Sequence, residues 1–160
     1  MKKFILDNTK TLIFALINAV FIRSILIQPF YIPSSSMEPN LLVGDRLFVT
    51  KFSYGYSKHS FPFSPPILSG RVLSDNPERG DVVVFKTPAD NRTDYIKRLI
   101  GLPGDKISMQ SNQIFLNGNK IQSEFINNEN YKSFDVQKIK ETLPNQKSYS
   151  VYEFEKTFSV

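Results

Sequence analysis

The chain has 160 residues, with 20 Lys or Arg against 15 Asp or Glu for a net charge of +5, a single histidine and no cysteine. Without cysteine there are no disulfides, no Cys zinc sites and no cysteine nucleophile. The basic surplus is spread along the chain and forms no stripe of the kind that binds nucleic acid, which points to an anionic bilayer as the attractor.

The N-terminus reads Met1-Lys2-Lys3, a mixed turn to Lys10, and then an apolar run from Leu12 to Ile22 interrupted only by Asn18. A strict run of roughly eleven apolar residues matches the core of a signal peptide. Cleavage requires small residues spaced A-x-A just beyond that core, and Arg23-Ser24-Ile25-Leu26 stands there instead. A buried soluble helix is a second reading. The favoured one is an uncleaved transmembrane anchor over residues 11–28 with Arg23 snorkelling to the interface, since roughly 17 residues is the shortest bilayer-spanning helix. Lys2, Lys3 and Lys10 then hold residues 1–10 in the cytoplasm and place residues 29–160 outside, in a single-pass topology. Those remaining residues, about 130 of them, are close to the commonest domain size.

Beyond the anchor the pattern shifts to short alternating runs. Phe30-Tyr31-Ile32 reads as strand up to Pro33, and Leu47-Phe48-Val49 as strand after the Gly44-Asp45 turn. Val82-Val83-Val84-Phe85 is β-branched and too short for a helix, so a largely buried strand is expected. Tyr95 to Ile100 forms another strand. Two strand-like runs between Lys106 and Ile121 meet at Ser111-Asn112, and Asn117-Gly118 is a strong hairpin turn signal. The expected fold is mainly β, an all-β meander. Residues 56–76, with Pro62, Pro65 and Pro66 among Phe61 and Phe63, read as a surface loop insertion that contributes no central strand. Residues 123–160, rich in Asn, Lys and Glu, read as an insertion or cap region with weak strand alternation.

The chemistry turns on Ser34-Ser35-Ser36, a few residues beyond the apolar run. A serine nucleophile needs a base. The only histidine, His59, sits in the Pro/Phe loop and reads as a surface residue. Lysine is the remaining base of adequate strength, and Ser-Lys pairs are a known variant of the triad. Lowering a lysine from roughly 10.4 to 7–8 destabilises the ammonium by about 4 kcal/mol, which burial can supply. Lys97 lies between apolar neighbours in Tyr95-Ile96-Lys97-Arg98-Leu99-Ile100, where Tyr95, Lys97 and Leu99 share one face. An exposed basic pair, Lys97-Arg98, is the alternative. Asp45, Asp81 and Asp105 each follow a glycine and suit turns better than acid-base catalysis. No motif implies a metal or cofactor.

Four segments occur in order: Pro33-Ser34-Ser35-Ser36-Met37-Glu38-Pro39 with Leu42-Val43-Gly44-Asp45, then Lys51-Phe52-Ser53-Tyr54-Gly55, then Arg79-Gly80-Asp81-Val82-Val83-Val84-Phe85, then Asp94-Tyr95-Ile96-Lys97-Arg98-Leu99-Ile100-Gly101-Leu102-Pro103-Gly104-Asp105. Behind an anchor, this series resembles bacterial type I signal peptidases over about residues 10 to 121. The resemblance implies a signal-peptidase-like β catalytic domain outside the bacterial cytoplasmic membrane. It implies Ser36 as nucleophile and Lys97 as general base. It also implies Ser34 as side-chain donor to the oxyanion beside the Ser36 backbone N–H, worth roughly 3 to 4 kcal/mol per donor. Ser35 stands where the family often has glycine. Arg98 and Asp105 match positions with a structural role, and Met37 a position shaping the apolar surroundings of the dyad.

The partners implied are secreted precursors with small-x-small sites, and membrane lipids; nucleic acid is not among them. An extended peptide added beside a strand would send alternate side chains into pockets, and Phe30, Ile32, Pro33, Met37, Asp94, Tyr95 and Ile96 are the groove candidates. A further family segment, Gly-Asp-Asn followed by a serine, is not found, because the three Gly-Asp pairs run on to Arg46, Val82 and Lys106. The chain is therefore expected to be C-terminally incomplete, ending in mid-strand at Phe158-Ser159-Val160. The alternative to an active serine endopeptidase is a catalytically silent relative that binds exported peptides. A soluble Ser-Lys autoprotease is disfavoured by the anchor and by the lack of a DNA-binding segment.

Overall fold

The structure, a computed structural model, describes residues 2–154, with side chains from residue 8 onward. The expected chain end at Phe158–Val160, Met1, and the side chains of Lys2 and Lys3 lie outside the described residues. The chain forms two compact units, Met1–Tyr31 with Arg46–Asn76, and Ile32–Asp45 with Pro77–Val160.

The first unit begins with α1, Lys2–Ile25. Leu, Ile, Phe and Ala favour the helix, and no Gly or Pro interrupts it. The Asn18 amide is satisfied by donating to the Phe14 carbonyl, 2.8 Å away. Apolar side chains are exposed along the helix, among them Leu12, Phe14, Leu16 and Ile17. Among the described residues, no helix is long and apolar enough to cross a membrane. The helix does not coincide with the expected 11–28 segment: it already starts at Lys2, and it stops at Ile25. Pro29 explains the stop, because the residue before a proline disfavours the α region and proline offers no N–H to a helix.

The chain turns at once into β1, Ile27–Tyr31, which pairs antiparallel with β2, Arg46–Thr50. Ile32, expected in that strand, falls beyond its end. A proline fits β1 because a two-stranded sheet consists only of edges. The 56–76 loop is closed by a short strand pair, β3, Tyr56–Ser57, and β4, Arg71–Val72, with a 3₁₀ turn at Lys58–Ser60 between them. At Gly55 the backbone has φ +76° and the carbonyls of Val72 and Leu73 occupy the space a Cβ would need. Only glycine suits that position.

The second unit contains three sets of strands. β5, Val82–Lys86, pairs antiparallel with β6, Asp94–Arg98. β7, Ile107–Gln110, β8, Gln113–Leu116, and β9, Asn119–Lys120, form a meander. Its turns are Ser111-Asn112 (φ 48° and 62°) and Asn117-Gly118 (φ 53° and 83°), the left-handed pairs of tight hairpins. β10, Gln122–Tyr131, β11, Phe134–Thr142, and β12, Ser148–Phe154, make the longest sheet.

Among the described residues all pairings are antiparallel and join consecutive strands, so the mainly β expectation holds at that level. Two details differ. β5 is not largely buried, since Val82 and Phe85 are each 40% exposed. Residues 123–154 carry far more strand than the weak alternation suggested, in a sheet with one register shift between Phe125 and Asn127 and with cross-strand pairs such as Lys138 Nζ to Glu129 Oε1 at 2.9 Å. The core gathers Leu116, Ile121, Leu143 and Tyr149, with Ile100, Ile114 and Val151 packed on it. Among the described residues, every buried large apolar side chain belongs to this second unit.

Candidate active site

Residues 32–45 form a closed loop carrying the serine triplet. Its mouth is tied by the Ile32 N–H donating to the Asp45 carbonyl and the Gly44 N–H donating to the Ile32 carbonyl, both at 2.9 Å. Inside it the Glu38 N–H donates to the Ser35 carbonyl, and the N–H groups of Asn40 and Leu41 both donate to the Met37 carbonyl, each at 3.0 Å. Met37 is buried at 6% exposure and anchors this turn, while Ser34, Ser35 and Ser36 stay exposed.

Lys97 lies on β6 opposite Val83 and is half-buried. Its Nζ donates to Ser36 Oγ at 2.5 Å across 61 residues of sequence. Ser34 Oγ is 3.4 Å from Ser36 Oγ. Nζ also stands 5.7 Å from the centre of the Tyr95 ring, and that ring meets Phe85 edge-on at 6.2 Å. One basic and two hydroxyl groups therefore converge at a solvent-accessible point. A hydroxyl in contact with an amine is the arrangement that nucleophilic catalysis requires.

Arg98, the next residue on β6, takes a different direction. Its Nη1 donates to the Gly80 carbonyl at 2.8 Å, and its guanidinium carbon is 4.7 Å from the centre of the Tyr149 ring. Burial lowers the Arg98 pKa, and burial raises that of Tyr149 with Glu141 adding to the effect.

Asp105 accepts from the Leu102 N–H at 2.6 Å and the Asn117 side-chain amide at 2.8 Å, and pairs with Arg79 at 2.9 Å. The Leu102 N–H, then Asn117, hold its carboxyl below the usual range. The three Gly-Asp turns share one device. Asp45 accepts from the Leu42 N–H, Asp81 from the Glu78 N–H and Asp105 from the Leu102 N–H, each carboxylate bonding the backbone three residues earlier. These are turn clamps.

The groove candidates separate. Ile32 is 1% exposed and its backbone N–H and carbonyl are already bonded, so it belongs to the core of the loop. Met37 is buried as well. Asp94 pairs with Lys86 at 2.8 Å at the start of β6, while Tyr95 is exposed and Ile96 half-buried. Pro33 is exposed beside the triplet, and Phe30 is half-buried on β1 in the other unit. His59 is also half-buried, with Nδ1 3.1 Å from Ser64 Oγ. A cavity of about 320 Å³ in the second unit is lined by Arg79, Leu116, Lys120, Leu143 and Gln146 among others, and neither Ser36 nor Lys97 borders it. Asn40, Arg79, Asn117 and Tyr149 hold the surroundings together through side-chain contacts that the sequence did not announce. Only Asn117 carried a signal, its Asn-Gly turn, and that signal did not reveal the side chain's bond to Asp105.

The fold is thus a small antiparallel β protein whose site joins a serine hydroxyl to a lysine amine, as in serine peptidases that lack a histidine. The sequence profile of the family "Signal peptidase, peptidase S26" matches residues 5–157, and the chain belongs to this family. It is 43% identical over 152 residues to signal peptidase I of Rickettsia akari (strain Hartford), a match covering 92% of this chain and 56% of that protein. Similarity to signal peptidase I of Rickettsia typhi (strain ATCC VR-144 / Wilmington) is 41% over 170 residues, covering 96% of this chain and 63% of the relative. The chain therefore spans little more than half the length of the curated relatives it matches.

Proposed function

We propose that this chain carries the catalytic pair of a membrane-bound serine endopeptidase that removes signal peptides from exported precursors. The observation that carries the reading is the 2.5 Å contact between Lys97 Nζ and Ser36 Oγ. With the lysine as a neutral amine, the same contact reverses and Nζ accepts the hydroxyl proton. Ser36 Oγ then attacks the scissile carbonyl. The oxyanion is received by the Ser36 N–H and the Ser34 hydroxyl, whose position beside Ser36 supports that role. Lys97 returns its proton to the leaving amine, leaving an ester on Ser36, then takes a proton from the water that attacks that ester and passes it to Ser36 Oγ as the C–Oγ bond breaks and the acid leaves.

Among the described residues β6 has β5 on one side only, so its other edge is available for an extended peptide, with Asp94 to Ile96 beside the reacting carbonyl. A small-x-small preference follows if alternate peptide side chains meet shallow walls. The unit formed by α1, β1, β2 and residues 51–76 is the part in contact with bilayer lipids. The exposed apolar side chains of α1 support that contact, with Arg23 reaching the interface and the N-terminus on the cytoplasmic side of the bacterial membrane.

The test is cleavage of a precursor with an Ala-x-Ala site by detergent-solubilised full chain, followed by product size. Wild type is expected to release the mature product, with Ser36→Ala and Lys97→Ala slower by at least about a thousand-fold. Wild type as inert as both variants would sink the reading.

A further inference from the structure

We propose that the Tyr149–Ser150 step of β12 sets the register between the Ser36 loop and the Lys97 strand, and that Asn40 is the positioning residue that ties the loop to it. The catalytic part rests on the peptidase reading above; the structural part does not.

Asn40 lies four residues after Ser36 and its carboxamide meets Ser150 twice. Nδ2 donates to the Ser150 carbonyl at 2.6 Å, and the Ser150 N–H donates to Oδ1 at 3.3 Å, across 110 residues of sequence. Among the described residues β12 is paired with β11 on one side alone, with Ser150 opposite Lys140. In an antiparallel ladder alternate residues turn both backbone groups to the same side. Ser150 turns both outward, and Asn40 fills the place of the missing strand. A carboxamide can do this because it offers one donor and one acceptor, as a peptide group does. Aspartate would offer only acceptors, set against the Ser150 carbonyl.

The neighbouring residue holds the other half of the site. Tyr149 is buried in the core cluster, and Arg98, next to Lys97, stacks on its ring at 4.7 Å. Two adjacent residues of β12 therefore hold the serine loop through Asn40 and the lysine strand through Arg98. This gives the C-terminal sheet a role in the reaction although, among the described residues, none of its side chains bonds to Ser36 or Lys97.

Asn40 is exposed, so water replaces its bonds readily and its loss leaves the fold intact. Geometry is far less forgiving, since about 1 Å of misplacement costs on the order of 100-fold in rate. A residue that merely stabilised the loop would not separate these effects.

The experiment compares full-length wild type, Asn40→Ala and Asn40→Asp in detergent, measuring kcat and KM on the precursor and the ¹⁵N resonance of Lys97 Nζ. Asn145→Ala is the control, because it removes a similar exposed amide-to-backbone bond, to the Arg79 carbonyl at 2.7 Å. Both Asn40 variants should lose roughly 10- to 100-fold in kcat, with KM within about twofold, and should shift the Lys97 resonance; the control should do neither. A kcat within about twofold of wild type, or a loss confined to KM, overturns the proposal. If wild type does not cleave at all, the peptidase reading falls and the resonance alone decides: unmoved in both Asn40 variants, it refutes the register role.

Discussion

Ser34, Ser35 and Ser36 are chemically identical side chains distinguished by where the turn points them. Ser36 Oγ meets Lys97, Ser34 Oγ stands 3.4 Å from Ser36 Oγ, and Ser35 contributes its carbonyl to the Glu38 N–H. If Ser34 serves the oxyanion, its hydroxyl works only once the carbonyl has become tetrahedral. Its loss then lowers kcat and leaves KM in place. Ser34→Ala is expected to lose about 100-fold in kcat, and Ser35→Ala only a few-fold, since the backbone bond survives the change. Steady-state kinetics on one precursor checks both, and a Ser34→Ala defect appearing in KM would remove it from the oxyanion site. At the core, Leu143 is 1% exposed and sits in the central cluster. Leu143→Ala should cost about 2 to 5 kcal/mol in a denaturant titration.

At the scale of elements, the turns and their carboxylates govern how stability follows pH. Asp105 is held low by the Leu102 N–H first and Asn117 second, and Glu129 by Lys138 first and Tyr152 second. A carboxyl with a depressed folded pKa stabilises the fold fully above its unfolded value, near 4, and that contribution is lost as pH falls through the folded value. At the other end Lys147 is raised by Asp81 and then Glu78, while burial and then Glu129 push Tyr152 up to about 12. Their contribution is complete below unfolded values near 10 and vanishes as pH rises through the folded ones. The thermal midpoint should therefore decline in acid below about pH 4 and in alkali above about pH 10. Asp105→Asn should flatten part of the acid decline; an unchanged acid limb would deny the carboxylate that role. Legibility in the sequence also followed the turns. Asn117-Gly118 and Ser111-Asn112 announced their hairpins, whereas β10 and β11 join through Lys132-Ser133 at φ 49° and 71°, residues that seldom adopt such angles. Without glycine in that turn, and with Asn, Lys and Glu lining both faces, the longest sheet read as a cap region. The meeting of Ser36 with Lys97 was legible through the resemblance of four ordered segments to type I signal peptidases, since the lone histidine and strand alternation only made a lysine base admissible and left Lys97-Arg98 open as an exposed pair. The Asn40 to Ser150 contact was not, since nothing periodic links residues 110 apart.

At the scale of the whole molecule the two units divide apolar surface unequally. The second buries a core, while the first buries no large apolar side chain among its described residues and exposes many. In residues 46–76 the exposed apolar side chains include Phe48, Phe52, Phe63, Ile67 and Leu73, with Phe63 fully exposed at 103%. Arg46, Lys51, Lys58 and Arg71 accompany them against Asp75 alone. Apolar tips with a cationic margin suit an anionic bilayer surface, where rings enter the acyl boundary and basic groups meet phosphates. On the proposed lipid contact, the 56–76 loop enters the interface as a second point of attachment beside α1. The chain contains no tryptophan, so Phe63→Trp introduces a single reporter at the most exposed ring. Reconstituted into vesicles containing phosphatidylglycerol, this variant should show blue-shifted emission, quenching by lipids brominated along the acyl chain, and protection from aqueous iodide. The same variant with Arg46, Lys58 and Arg71 changed to Gln should lose part of that shift, and high salt should mimic the loss because surface charges are screened. Emission typical of water with free access to iodide would show that the loop stays off the membrane. A blue shift untouched by brominated lipid would mean that protein covers the ring.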